Sequence, residues 1–342
     1  MYDCNDDVLA FHNDEVTLPQ PLRTAMRDRR NANRKRLKDR LKEKSFPLPQ
    51  EFIKQGSYAM LSMVQDEDND YDIDDGVYFA EEDLKDKDGN PLSPKATRQF
   101  VCDALQDDRF KKQPKVLKNC VRIYYNEGYH VDMPIYRIRK SDGEYELACG
   151  DQWTVSLAAD VEKWFYDTND AKSPDTENGR QFRRIVRDTK KFARSRNAWK
   201  NEIASGFTIT KLIEECYLAD EHREDVALRE TMRRMHDRLT ISLEIWHPTT
   251  PGARLAVADD AGAEFLRDKL STALDDLKVL DDPACTAKHA RKAWDKVFNT
   301  DFFSERELKE ALEASNVTVV SNLLSKQTNP RPVDKQGGGR FA

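Results

Sequence analysis

Two short apolar runs in this chain carry carboxylates where a strand tolerates them least. The first is Asp72-Ile73-Asp74-Asp75-Gly76-Val77-Tyr78-Phe79, and the second is Tyr129-His130-Val131-Asp132-Met133-Pro134-Ile135-Tyr136. Both are rich in β-branched and aromatic residues with alternation, the pattern of a strand. Residues i and i+2 of a strand share a face, with Cα atoms about 6–7 Å apart, so Asp72 and Asp74 project together. Unpaired like charges that close repel, and one of them tends to keep a proton. Divalent cations resolve the conflict. Mg²⁺ prefers hard oxygen ligands and commonly takes one or two carboxylates plus substrate phosphates. Two such ions about 4 Å apart activate an attacking hydroxyl and stabilise a leaving pyrophosphate. Asp132 supplies a third ligand from the second strand. Upstream, Gln55-Gly56-Ser57 reads as a tight turn whose backbone and hydroxyl donors suit a phosphate. The combination predicts a site for divalent metals and a nucleoside triphosphate, with Asp72, Asp74 and Asp132 as catalytic metal ligands.

A bare Asp-x-Asp is weak evidence, and Asp66, Glu67, Asp68 and Asp70 make the neighbourhood acidic anyway. An exposed acidic strand and loop is the competing reading. Against it stand the apolar neighbours Ile73, Val77, Tyr78 and Phe79, the nearby Gly-Ser turn, and the flanking of Asp132 by Val131 and Met133. Asp75 points to the face opposite Asp74 and reads as a turn or hydrogen-bonding residue. His130 is read as structural, because two-metal chemistry needs no general base.

The remaining chain bounds the possibilities. At 342 residues it can bury a large core and fits about two domains. Charged residues make up 35%, and no apolar run approaches the roughly 20 residues of a membrane span, so no membrane association is expected. The acidic opening Met1-Tyr2-Asp3-Cys4 does not read as a signal peptide. The six cysteines show no CxxC or Cys/His spacing, which disfavours a disulfide framework or zinc site and points to a cytoplasmic setting. A net charge of −6 argues against an obligate nucleic-acid partner. There is no Walker A loop and no Gly-rich dinucleotide loop.

Organisation follows composition. Residues 8–20 read as an extended lead-in closed by Pro19 and Pro21. Leu22 to Lys44 predicts a long basic helix with a thin apolar stripe (Leu22, Met26, Leu37, Leu41), stopped by Pro47 and Pro49. Residues 51–150 carry strand and turn signals, with strands at 72–79, 121–125, 131–139 and 145–148 and helical stretches near 58–64 and 94–107. From about 156 the pattern is almost all helical, near 157–167, 178–196, 208–219, 223–241, 259–279, 285–297 and 304–313. The expected fold class is therefore α+β, with a mixed-sheet core over residues 1–155 that includes the long helix, an all-helical lobe over 156–328, and a flexible tail at 329–342.

Gly56-Ser57, Asp72-x-Asp74 and the distal Asp132 resemble the signature of polymerase-β-like nucleotidyltransferases. Gln-Gly-Ser, Asp-Ile-Asp-Asp-Gly-Val-Tyr and His-Val-Asp-Met-Pro-Ile-Tyr look like the bacterial cGAS/DncV-like nucleotidyltransferases (CD-NTases), nearest the DncV branch. Phe11-His12-Asn13-Asp14 and Gly150-Asp151-Gln152-Trp153, leading to Glu162-Lys163-Trp164-Phe165, resemble that branch too. The likeness spans roughly residues 8–250. It implies a polymerase-β-like core in which Asp72, Asp74 and Asp132 bind two Mg²⁺ ions (Mn²⁺ as a substitute) and Gln55, Gly56 and Ser57 contact the triphosphate. In the helical lobe, the stretch 184–192 resembles the family helix whose lysine grips phosphate, which implies Lys190, with Lys191 as rival. Ala204-Ser205-Gly206-Phe207 resembles the following helix start, which implies Ser205; an N-cap is the plainer role for that serine.

The resemblance further implies joining of ATP, GTP or other NTPs into a cyclic di- or trinucleotide, with purines such as cyclic GMP-AMP expected. Pyrophosphate would be released, and the setting would be antiphage CBASS signalling. The state is expected to be monomeric. The end Gly337-Gly338-Gly339-Arg340-Phe341-Ala342 is either an inert tail or, as in related synthases, a target of ubiquitin-like E1/E2 conjugation. Two other classes stay open: a template-independent RNA or oligoadenylate-type nucleotidyltransferase making linear products, and a non-catalytic nucleotide-binding or partner-binding module.

Overall fold

The computed structural model describes residues 1–66, 71–126, 128–156 and 158–306. The predicted tail and most of the predicted helix at 304–313 lie outside the described residues.

The long basic helix forms as expected. Helix α2 (Gln20–Glu43) begins with Pro21 in its first turn, and Met26, Leu37 and Leu41 make its buried stripe. Asn33, also buried, accepts from the Tyr125 hydroxyl at 2.9 Å. Its arginines tie it to the core: Arg34 forks onto Asp75, and Arg36 donates to Asp107 at 2.8 Å. Asp75 thus points away from Asp74 and pairs with the helix behind the sheet. The lead-in is not extended. Residues 8–16 are helical, in α1 (Asn5–Phe11) and a wide π-type turn at His12–Val16. Val8, Phe11 and Val16 are buried among the apolar residues of the helical lobe, and that burial outweighs the absence of a helical pattern in so short a stretch.

The core sheet is built on β2 (Asp72–Ala80). Strand β1 (Glu51–Gln55) pairs antiparallel along one edge of β2, and the four-residue helix α3 (Gly56–Ala59) follows it. Helix α4 (Pro94–Leu105) lies against α2. A two-residue strand β3 (Lys115–Val116) pairs with β4 (Val121–Tyr124). On the other edge of β2 run β5 (His130–Met133) and β6 (Ile135–Ile138), both parallel to it and in one continuous register from Asp72 opposite His130 to Ala80 opposite Ile138. The single strand predicted at 131–139 is therefore two strands, because Pro134 has no N–H to give the ladder. Its carbonyl still accepts from Val77. Strand β4 pairs antiparallel with β5, and β7 (Tyr145–Cys149) with β6, followed by β8 (Gln152–Val155).

The helical lobe follows: α5 (Ala158–Lys172), α6 (Gln181–Arg194), α7 (Gly206–Cys216), α8 (Glu224–Ile241), α9 (Ala261–Asp276) and α10 (Ala287–Phe298). A small hairpin of β9 (Ile245–Trp246) and β10 (Arg254–Ala256) interrupts it where sequence patterning indicates only a loop. The two apolar cores are distinct, one around Ile73, Val77, Val131 and Ile135, the other around Phe182, Ile185, Leu212 and Trp294. Helix α6 is buried on nearly every side despite its basic composition, so its cations are not a solvated face.

Candidate active site

Strand register brings the predicted carboxylates together. Asp74 of β2 lies beside Asp132 of β5, Asp132 lies beside Arg122 of β4, and Gln55 of β1 lies on the other side of Asp74. Cross-strand neighbours present their side chains to one face. One row therefore reads Gln55, Asp74, Asp132, Arg122, and Asp72 sits two residues up the same face of β2.

The three carboxylates differ in setting. Asp72 is exposed, with its Oδ1 3.2 Å from Arg122 Nη2 and 3.5 Å from His130 Nδ1. Asp132 is buried, and Arg122 forks onto it, Nε to Oδ1 at 2.8 Å and Nη2 to Oδ2 at 2.7 Å. Asp74 is pressed against the Gly56 turn. Burial, reinforced by the charges of Asp132 and Asp72, pushes its carboxyl up to about 7, with Arg122 opposing. Gly56 is required twice over. Its φ of +63° is the left-handed region, and a Cβ there would lie 2.2 Å from Asp74 Oδ2.

A cleft of about 1180 Å³ opens between this face and the helical lobe. Gln55, Gly56, Ser57, Asp72 and Asp74 line its sheet wall, and Lys190 and Ser205 line its helical wall. Asp132 stands one strand behind Asp74 and is not part of the lining. Of the two rival lysines, Lys190 faces the cleft; Lys191 donates to the Gln65 carbonyl at 3.2 Å. Lys190 is buried and gives its ammonium to the Ser62 hydroxyl at 3.0 Å. Burial, then Arg194 and Arg187, brings its pKa down to about 7. Among the described residues no carboxylate bonds it. Ser205 caps α7, accepting from the Thr208 N–H at 3.1 Å, and its neighbour Gly206 packs on the Lys190 side chain. The amide of Gln55 is already engaged: Nε2 donates to the Tyr78 hydroxyl at 2.7 Å, and the Tyr136 hydroxyl donates to Oε1 at 3.0 Å. Its side chain anchors the strand end beneath the turn.

Patterning alone did not single out several residues of the site. Arg122, which reaches Asp132 and Asp72 from β4, is the main one; its signal is a lone cation between Val121 and Ile123 in an apolar strand. Ser62, Asn197, Asn201, His247 and Thr250 line the cleft, from loops and one short 3-10 turn (Asn197–Trp199) that carry no period.

The donor set suits a hard divalent cation. It consists of carboxylate oxygens alone, one of them raised to about 7 by burial and by the charges beside it, against a glycine that leaves no side chain in the way. As they stand, among the described residues, no three acidic, histidine or cysteine side chains converge tightly enough to chelate an ion. Arg122 holds Asp132 and Asp72 toward β4 instead.

Residues 50–136 match the family described as cyclic GMP-AMP synthase DncV-like, nucleotidyltransferase domain. This segment is a DncV-like nucleotidyltransferase domain. The match covers the turn and all three aspartates, and the chain is an enzyme of the nucleotidyltransferase class. The architecture also resembles solved structures. The chain is similar to CdnC of E. coli MS115-1 with ATP (18% identity, 87% of this chain and 98% of that one, TM-score 0.65). It is similar as well to the Vibrio cholerae DncV cyclic AMP-GMP synthase with nonhydrolyzable GTP (15%, 87% and 96%, TM-score 0.70). The same DncV enzyme with the linear intermediate 5′ pppA(3′,5′)pG matches at 16% identity over 83% of this chain and 92% of that one, TM-score 0.65. At these identities the structural likeness establishes the fold: a mixed sheet with helices and a helical lobe, as expected from the sequence.

Proposed function

We propose that this DncV-like domain joins nucleoside triphosphates into a cyclic di- or trinucleotide. The observation that carries the reading is the opposition of charges across one cleft. Asp72 and Asp74, backed by Asp132, face a buried Lys190 that lacks a carboxylate partner among the described residues. A metal-bound triphosphate answers both walls at once. Lys190 grips the phosphate tail, aided by Ser57 and Ser205, and Gly56 lets the backbone turn approach closely. Asp72, Asp74 and Asp132 would hold two Mg²⁺ ions, or Mn²⁺, which would supply neutralisation of phosphate charge and favour ionisation of the attacking hydroxyl.

The fold of the cleft then supplies positioning. A ribose hydroxyl of one nucleotide attacks the α-phosphorus of the other. The new P–O bond forms as the bond to pyrophosphate breaks. The linear product turns over, and its remaining free hydroxyl attacks the remaining α-phosphorus, closing the ring with loss of a second pyrophosphate. A linear intermediate bound to DncV supports such a sequence by analogy. ATP and GTP are the proposed substrates, cyclic GMP-AMP the proposed type of product, and CBASS signalling in the cytoplasm the proposed setting. These finer assignments rest on the likeness to DncV and CdnC. Among the described residues no helix is long and apolar enough to cross a membrane. The protein is proposed to act as a monomer without obligate nucleic acid. Conjugation of its C-terminus by an E1/E2 pathway concerns residues outside those described.

Incubation with each pair of labelled NTPs and Mg²⁺ or Mn²⁺, followed by phosphatase and mass analysis, tests the reading. Phosphatase-resistant cyclic products are expected. A phosphatase-sensitive ladder would instead assign a linear-product enzyme, and absence of product with every NTP pair would favour a binding module.

A further inference from the structure

Among the described residues Arg122 bonds two of the three carboxylates, and nothing in the nucleotidyl-transfer scheme uses it. It stands on β4 directly across from Asp132. Both Asp132 oxygens receive its guanidinium, at 2.8 and 2.7 Å, and the same Nη2 reaches Asp72 at 3.2 Å. The planar fork suits such bidentate capture, which a lysine cannot reproduce. Asp74, between these two acids, is bonded by no cation among the described residues.

The geometry has a consequence for ion binding. An ion bridging Asp74 and Asp132 needs an Asp132 oxygen lone pair turned toward β2. The fork engages both oxygens and draws them toward β4, and it draws Asp72 the same way. This accounts for the carboxylates sharing a face without converging. Arg122 is also only part-buried, its side chain 26% exposed, so it has room to swing toward solvent.

We propose that Arg122 is an exchangeable internal counter-ion, which holds Asp132 and Asp72 until a divalent cation takes them over. The inference rests on the metal-site reading above and adds the control on it. Arg122 lowers the repulsion among the acids without metal, and it competes with the metal for the same oxygens. Metal binding therefore competes with Arg122 for the Asp132 and Asp72 oxygens, and that competition sets the metal concentration at which the site assembles.

The test uses the full chain without nucleotide and Mn²⁺ alone as probe, with free Mn²⁺ counted by its paramagnetic resonance signal. Arg122→Gln is expected to bind Mn²⁺ roughly tenfold more tightly than the native protein, because a competing positive charge a few ångströms away is removed. Its melting temperature should fall without metal and recover toward the native value with saturating Mn²⁺. Arg122→Lys keeps the charge but not the fork and should fall between the two, which keeps the test decisive if the glutamine variant folds poorly. Equal or weaker Mn²⁺ binding in both variants, with melting lowered equally with and without metal, would make Arg122 a mere brace and overturn the proposal. Absence of saturable Mn²⁺ binding in the native protein, or binding unchanged in Asp74→Asn, would overturn the metal-site reading itself.

Discussion

The two walls of the cleft carry opposite charge and are held by different means. The sheet wall carries Asp72 and Asp74, strand register sets Asp132 behind them, and a built-in cation, Arg122, meets two of the three. The helical wall presents a buried cation, Lys190, which among the described residues bonds the Ser62 hydroxyl and carbonyl. On the sheet wall, burial and then the charges of Asp132 and Asp72 raise Asp74, which gives way by holding a proton to about pH 7. On the helical wall, burial and then the charges of Arg194 and Arg187 lower Lys190, which gives way by losing a proton near the same pH. Each wall is incomplete in a manner that the other's ligand corrects. Groups displaced by burial and by named charges within one cleft point to a functional site.

The largest effect should come from the sheet wall. Asp74→Asn is expected to reduce turnover roughly 10³-fold while the fold survives, since the metals' oxygen donors are what the chemistry depends on. Steady-state rates beside a circular dichroism spectrum check this. Gly56→Ala should follow, with about a 10²-fold loss in kcat/KM, because the left-handed turn and the 2.2 Å approach to Asp74 both forbid a Cβ. On the helical wall, Lys190→Met should raise KM for the triphosphate by roughly 10–100-fold, the worth of a lost charge-assisted bond. Lys191→Met should change KM little, since its ammonium is turned to Gln65. Equal effects at the two positions would break the distinction between them.

The smallest effects are on stability, and their signs differ between the walls. The folded pKa of Asp74 lies above its unfolded value of 3.8, so the folded state binds the extra proton between about pH 4 and 7. Stability from this group falls as pH rises through that window, and its cost is fully present above about 7. Metal-free Asp74→Asn should therefore melt roughly 2–4 °C above the native protein at pH 8. Lys190 behaves oppositely. Its folded pKa of about 7 lies below its unfolded 10.5, so its penalty is complete below about pH 7 and eases as pH rises from there toward 10.5. Lys190→Met should accordingly stabilise most at pH 6 and least at pH 10, as melting curves across that range will show.

The same contrast explains what the sequence reveals. Asp72 and Asp74 were legible because a strand's period of two is strict and acids among Ile73, Val77 and Phe79 are conspicuous. Asp132 was legible for the same reason, between Val131 and Met133. The break at Pro134 and the pairing of Asp75 with Arg34 depend on neighbours distant in sequence. Lys190 was reached through a resemblance, since six cations on α6 share a composition and only tertiary packing turns two of them, Lys190 and Arg194, to the cleft. Arg122 went unseen because its role exists only across the β4–β5 register. The helical character of residues 8–16 was missed because it follows from burial in a core assembled some 200 residues later.

The central claim is that one metal–nucleotide ligand completes both walls. Binding of a nonhydrolysable NTP, measured by titration calorimetry with and without Mg²⁺, tests it most directly. The account predicts that metal tightens binding at least about tenfold in the native protein. That gain should vanish in Asp74→Asn and persist in Lys190→Met, where overall affinity is lower. Metal-indifferent binding, or Asp74→Asn binding with the native metal dependence, would contradict it.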